Sequence, residues 1–298
     1  MDFSGVFPAL TTPFSEDGSV SLSGLKHNIH RYNSIGLAGY VAMGSTGESV
    51  LLSRAEADSV LVTVKEAAAK EKLLIAGTGA ESTAETIDRT KRAAQLGYHA
   101  ALVKTPYYYK PMYTPEMQIA HFRRVADASP IPVLLYSVPQ FTGVTLETPE
   151  VLALAAHSNV IGIKDSSGNV QRIGEMVSTA PPEFQVLTGG AAVLLPSLSV
   201  GARGAILALA GALPELCVAI FQLFRQREWE RARDLQLILV RASKLIVSEM
   251  GIAGVKFVMD QRGYHGGVPR LPLAPLHDEQ KKRLSEFLGS LELVAARA

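Results

Sequence analysis

Eight times along this chain a short apolar run ends at a turn former or a polar residue and gives way to a longer amphipathic stretch. The runs are Phe7–Thr11, Gly39–Met43, Leu73–Gly77, Ala100–Lys104, Val133–Tyr136, Val160–Lys164, Gln185–Thr188 and Ala205–Leu209. Four or five mostly apolar residues between turn formers read as strands buried on both faces, as parallel sheets require. Successive runs start far enough apart for each to hold a strand, a helix and two loops. Ser53-Arg54-Ala55-Glu56 fits a capping box opening a helix toward Lys70. Ser82 to Leu96 reads as a second helix stopped by Gly97, and Thr114–Ala128 and Thr148–His157 as two more. Eight such units predict an α/β fold, a (β/α)8 barrel of about 220 residues. A doubly wound open sheet is the alternative, though it would usually have fewer strands. Strand signals stop at Phe221, and Glu228–Val247 and Asp278–Ala296 read as amphipathic helices. The expected division is a catalytic barrel over 1–224 and a C-terminal helical region over 225–298.

Composition narrows the function. Hydrophobic residues make up 47% of the 298, charged residues 19%, and the net charge is +1, values that exclude disorder. A balanced charge argues against a nucleic-acid partner, which needs a concentrated basic surface. Lys281-Lys282-Arg283, the longest basic run, reads as a solvated helix face. No apolar stretch reaches the ~18 residues of a membrane span, and Met1-Asp2-Phe3 opens no signal peptide, so no membrane partner is expected. The single cysteine, Cys217, forms no intramolecular disulfide and suits a reducing cytoplasm.

In a barrel of this kind chemistry gathers at the C-terminal strand ends. Lys164 closes the apolar run Val160-Ile161-Gly162-Ile163. Desolvation there disfavours the ammonium ion, and a neutral amine can condense with a ketone to form a Schiff base. A carboxylate partner is the competing reading, but alternation turns Asp165 to the other side. Lys104 also ends a strand but precedes the turn Thr105-Pro106, a weaker position for a nucleophile. Tyr136 ends the adjacent strand, about 4.8 Å away, where its phenol could move protons. A barrel-mouth tyrosine bonded to a carbonyl is the plain alternative. Gly44-Ser45-Thr46-Gly47-Glu48 lacks the Lys-Ser/Thr ending of a Walker loop, and its hydroxyls and N–H groups suit a carboxylate or a phosphate. Gly77-Thr78-Gly79 reads as a tight turn. The seven histidines are scattered, read as surface residues, and form no ligand set, so no metal is expected.

Together these residues resemble the dihydrodipicolinate synthase / N-acetylneuraminate lyase family of class I aldolases. The matching motifs are Gly44–Ser49, Thr105–Tyr108, Tyr136–Pro139 with Thr142-Gly143, and Gly162–Gly168, within a likeness that runs from Pro8–Phe14 to the C-terminal helices. The resemblance implies a barrel with C-terminal helices, usually a homotetramer built as a dimer of dimers, and no cofactor beyond a covalent imine. Lys164 matches the Schiff-base lysine and Tyr136 the proton-shuttling tyrosine. Ser45 and Thr46 match the pair on the keto-acid carboxylate, with Ser45 also in the relay. Tyr108 matches a tyrosine that reaches into the neighbouring subunit's site. Gly189 and Ile206 match backbone and wall positions around the pyruvyl group.

Departures from the pattern bear on the substrate. Dihydrodipicolinate synthases carry an arginine where this chain has Phe141, and a neutral aromatic cannot pair with a carboxylate. Arg54, Ala57 and Glu81 stand at the lysine-feedback positions, so inhibition by lysine is not expected. Leu135–Pro139, Lys164–Ser166, Gly251–Lys256 and Gly263–Gly267 with Arg270–Leu273 are similar to the 4-hydroxy-2-oxoglutarate aldolase branch, where Ser166 would bind the second carboxylate. Thr46 stands where that branch has an amide. The expected reaction is cleavage of 4-hydroxy-2-oxoglutarate to pyruvate and glyoxylate. The alternatives are condensation of pyruvate with aspartate semialdehyde, a 2-keto-3-deoxy sugar acid aldolase, or a keto-acid binder without turnover.

Overall fold

The computed structural model describes residues 1–295. Its eight strands are β1 (Gly5–Pro8), β2 (Gly39–Ala42), β3 (Leu73–Gly77), β4 (Ala100–Lys104), β5 (Val133–Ser137), β6 (Val160–Asp165), β7 (Gln185–Thr188) and β8 (Gly204–Leu207). All pair in parallel, in the order β1-β8-β7-β6-β5-β4-β3-β2. A parallel bridge between Ala9 and Val41 closes the ring. This is a (β/α)8 barrel with further C-terminal helices. The first strand begins two residues before its apolar run, at Gly5, whose φ of +124° suits glycine.

Alternate residues fill two separate layers. Phe7, Ile75, Leu102, Leu134, Leu187 and Ile206 interdigitate inside the ring. The intervening residues, among them Val103, Leu135, Ile163 and Val186, pack outward against helices. Both faces are buried, so the strands read as continuous apolar runs rather than alternating ones.

The helix starts follow their capping chemistry. Ser53 and Glu56 close a reciprocal capping box on Arg54–Ala67. Ser82 caps Thr83–Gln95, with Gly97 left-handed beyond its end, and Thr114 caps Pro115–Ala128. The stretch expected over 228–247 divides into Trp229–Ala242 and a π-helical segment Ser243–Glu249, followed by Gly251–Gln261. The helix expected over 278–296 is present as Asp278–Ala295, and residue 296 lies outside the described residues. Ala232, Leu239, Ile246, Val255 and Met259 share one apolar cluster with Val6, Leu207 and Ile220 of the barrel. Among the described residues no helix is long and apolar enough to cross a membrane.

Candidate active site

Register sets the central feature. Lys104 on β4 pairs with Tyr136 on β5, and Tyr136 pairs with Lys164 on β6. The three side chains therefore start at one level of the barrel mouth. Lys164 is 4% exposed, and its Nζ lies 4.2 Å from the centre of the Tyr136 ring. The next residue, Asp165, faces the other way, fully buried against Arg172 Nε at 2.8 Å. Strand alternation thus keeps the nearest carboxylate off the lysine.

The Tyr136 hydroxyl is 3.4 Å from Ser45 Oγ. Burial alone would push this phenol up. The charge of Lys164 and hydrogen bonding with Ser45, Lys164 and Ser166 outweigh it, so Tyr136 ionises below the ordinary tyrosine range. A phenol so placed can give up and take back a proton.

Ser45 and Thr46 belong to a short turn after β2, flanked by two left-handed residues that are not glycine, Met43 (φ +62°) and Glu48 (φ +53°). Such backbone persists only where its surroundings over-determine it. The Thr12 hydroxyl donates to the Gly47 carbonyl at 2.7 Å. The Glu48 carboxylate is buried against Lys256 Nζ at 2.6 Å and accepts the Arg270 N–H at 2.8 Å. The opposite wall joins the loops after β6 and β7. Gly189 N–H donates to the Asp165 carbonyl at 2.6 Å, and a Cβ at position 189 would lie 1.9 Å from Ser166 Oγ. Only glycine permits that approach. Gln140 Nε2 donates to the Ser166 carbonyl oxygen.

Lys164, Tyr136, Ser45, Thr46, Ser166 and Gly189 line one cavity of about 480 Å³. Two of the expected site residues are not in that lining, one of them expected to serve a neighbouring subunit. Ile206 packs in the interior layer with Tyr136, Val138 and Leu187 and is not itself in the lining of this cavity. Tyr108 is 72% exposed on the loop after β4, edge-on to Tyr109 at 5.0 Å, so it does not join the site of its own chain. Phe141, 68% exposed, borders the cavity, and among the described residues no arginine lines it. The surface reading of the histidines fails at His121, which is buried beside Phe122 with Nδ1 2.9 Å from Thr83 Oγ1.

Sequence reasoning misses three contributors and undervalues a fourth. Gln140 precedes Phe141 and reaches the carbonyl after the lysine strand. Lys256 and Arg270 belong to segments read only for their family likeness, and nothing local links them to Glu48. Lys104 reads from sequence only as a weak nucleophile, although Ala100, Leu102 and Lys104 fall on one inward-facing alternation. Burial pushes its amine down, with Glu81 at 3.5 Å opposing. Among the described residues no three His, Cys, Asp or Glu side chains gather as a metal site would need.

A parallel eight-stranded barrel with a buried lysine at the end of β6, a phenol on β5 and a hydroxyl-bearing turn after β2 defines a class I aldolase, a carbon–carbon lyase that works through a lysine imine. The chain belongs to the dihydrodipicolinate synthetase family, whose pattern matches residues 2–291. Enzymes of this family bind pyruvate as a Schiff base with lysine and need no metal cofactor. Among its relatives is the 4-hydroxy-tetrahydrodipicolinate synthase of Methanothrix thermoacetophila, 37% identical over 290 residues covering 97% of each chain. The 4-hydroxy-tetrahydrodipicolinate synthase of Methylacidiphilum fumariolicum SolV superposes with a TM-score of 0.94 at 31% identity, covering 99% of this chain and 98% of the other. The dihydrodipicolinate synthase of Acinetobacter baumannii, solved in complex with pyruvate, gives 0.91 at 31% identity over 96% and 98% of the two chains.

Proposed function

We propose that Lys164 forms an imine with pyruvate and that the resulting enamine is joined to, or released from, a short aldehyde. The observation that carries this is the buried Lys164 amine beside the Tyr136 phenol in one cavity. The amine attacks the C2 ketone and water leaves. Loss of a C3 proton gives the enamine, whose C3 attacks the aldehyde carbon. The new alkoxide takes a proton, and water releases the product from the lysine. Cleavage runs the same steps backward. Tyr136 and Ser45 relay the protons, and Tyr108 of a second copy completes the relay in a homotetramer arranged as a dimer of dimers. Thr46 and Ser45 receive the keto-acid carboxylate, with the Gly189 backbone and Ser166 on the facing wall. Residues 1–224 then act as the catalytic barrel and 225–298 as its helical support, in a cytoplasmic enzyme.

Two acceptors have specific support. The curated relatives, named as 4-hydroxy-tetrahydrodipicolinate synthases at 37% identity, favour aspartate semialdehyde, and they back this reading better than cleavage of 4-hydroxy-2-oxoglutarate. The second reading rests on Phe141 and on a cavity wall without arginine among the described residues. Borohydride reduction with pyruvate tests the imine: one reduced pyruvyl adduct on the Lys164 peptide is expected, and none in Lys164→Ala. An adduct absent from wild type refutes the mechanism. Comparing aspartate semialdehyde consumption with glyoxylate release then separates the acceptors.

A further inference from the structure

A second cavity, of about 280 Å³, adjoins the catalytic one. Ser45, Tyr136, Val138, Phe141 and Ile252 are common to both walls. Among the described residues Lys164 is the one cationic side chain in the first wall and Lys104 the one in the second. The imine consumes Lys164. That leaves Lys104 as the cation a carboxylate could meet beside the reacting carbon.

Its setting fits that use. Lys104 stands one strand from Tyr136 and two from Lys164, so about 10 Å separates the two lysine backbones. Two long side chains can bridge the ends of a short dicarboxylic adduct across that distance. The Lys104 side chain is 14% exposed and its Nζ lies 4.5 Å from the centre of the Tyr107 ring. Its contact with Glu81 Oε1 is long, 3.5 Å. The other Glu81 oxygen already accepts the N–H groups of Tyr107 and Tyr108, at 3.0 and 2.8 Å. The ammonium group therefore keeps donors for another anion. An amine held beside an apolar strand carries a desolvation cost that an incoming carboxylate would offset.

We propose that Lys104 binds the carboxylate of the acceptor aldehyde, replacing the guanidinium that Phe141 cannot supply. The proposal rests on the imine reading above and deepens it. The acceptor is then a short aldehyde with a carboxylate at its other end, whichever of the two candidates the enzyme uses.

The test measures condensation with pyruvate for that acceptor and for its methyl ester, in wild type, Lys104→Met and Lys104→Arg. Lys104→Met is expected to raise KM for the charged acceptor about 10- to 100-fold, as loss of a charge-assisted hydrogen bond should. KM for pyruvate, trapping on Lys164 and kinetics with the ester should stay within about twofold, and Lys104→Arg should recover part of the loss. An unchanged acceptor KM, equal losses for acid and ester, or a rise in pyruvate KM instead would each overturn the assignment. If Lys104→Met does not fold, wild type still decides. The ester should bind more weakly than the acid, and added salt should raise KM for the acid alone; an ester as good as the acid refutes the role. Failure of trapping in wild type would defeat the imine reading itself, a distinct outcome.

Discussion

Replacing Gly189 with alanine tests whether the pocket proposed for the keto-acid carboxylate depends on the close approach of two loops. The added methyl would stand 1.9 Å from Ser166 Oγ, 2.9 Å from its Cβ and 3.1 Å from its Cα. Ordinary van der Waals separation begins at 3.4 Å, so the hydroxyl must leave its present position. Swinging the Ser166 side chain to another rotamer removes that first clash. It leaves the Cβ and Cα of Ser166 where they are, and both stand closer than ordinary separation, so the two loops must also part. Gly189 N–H to the Asp165 carbonyl, at 2.6 Å, resists that parting. A misplacement approaching 1 Å in a site that orients its substrate costs about 100-fold. Because rotation relieves part of the strain and the loops need part by less than that, kcat/KM in Gly189→Ala should fall about 10- to 100-fold. Steady-state pyruvate release, with thermal unfolding as a control for global stability, reads the effect. A variant within twofold of wild type in kcat/KM would show that Ser166 and Gly189 do not shape the pocket.

Tyr136→Phe removes the hydroxyl that meets Ser45 and should lower kcat about 10²- to 10⁴-fold while the pyruvate adduct on Lys164 still traps. Because Tyr136 ionises below the ordinary tyrosine range, the wild-type profile should fall off on the alkaline side below about pH 10, and a limb that persists in the phenylalanine variant would refute that assignment. Glu56, held by Arg270 through two short contacts, has its carboxyl lowered to about 2 from 4.5. The folded value is below the unfolded one, so the ionised form favours the fold. The stability gap between wild type and Glu56→Gln should be fully present above about pH 4.5, roughly 1 to 2 kcal/mol for this partly solvated pair, and close as pH falls toward 2. Urea unfolding at several pH values measures it, and a gap that ignores pH contradicts the pairing.

What the chain discloses in advance follows from range. Strand runs and capping boxes are local, so the eight units and the starts of the helices after Ser53, Ser82 and Thr114 are readable to within a residue or two. The pairing of Tyr136 with Lys164 is readable too, because consecutive parallel strands in a barrel lie side by side and each residue ends its run. Lys104 obeys the same logic one strand earlier, yet the turn at Pro106 masks it. The Ser45 contact joins β2 to β5, three strands apart, so no spacing rule reaches it and only family resemblance does. The π-helical turn at Ser243–Glu249 is invisible because it is a short insertion between two α-helices and its own residues include no glycine or proline to mark it.

The longest-range dependence concerns the turn that carries Ser45 and Thr46. Left-handed Met43 and Glu48 cost about 1 to 3 kcal/mol each, so residues 44–48 would not hold this shape alone. Part of the compensation is local: a Cβ at Gly77 would lie 2.1 Å from the Met43 carbonyl, so glycine on the adjacent strand makes room for the bend. The rest comes from the far end of the chain. Arg270, 222 residues beyond Glu48, donates its N–H to that carboxylate, and Lys256 neutralises it. Lys256 is also tied to the Val268 carbonyl at 2.8 Å, and Arg270 to Glu56 on the helix that follows the turn. Removing one partner of a buried pair leaves an uncompensated charge costing about 3 to 5 kcal/mol, comparable with what the bend stores. Lys256 on the helix Gly251–Gln261 and Arg270 in the loop after it are therefore part of what shapes the turn that carries Ser45 and Thr46, together with Gly77 of the barrel.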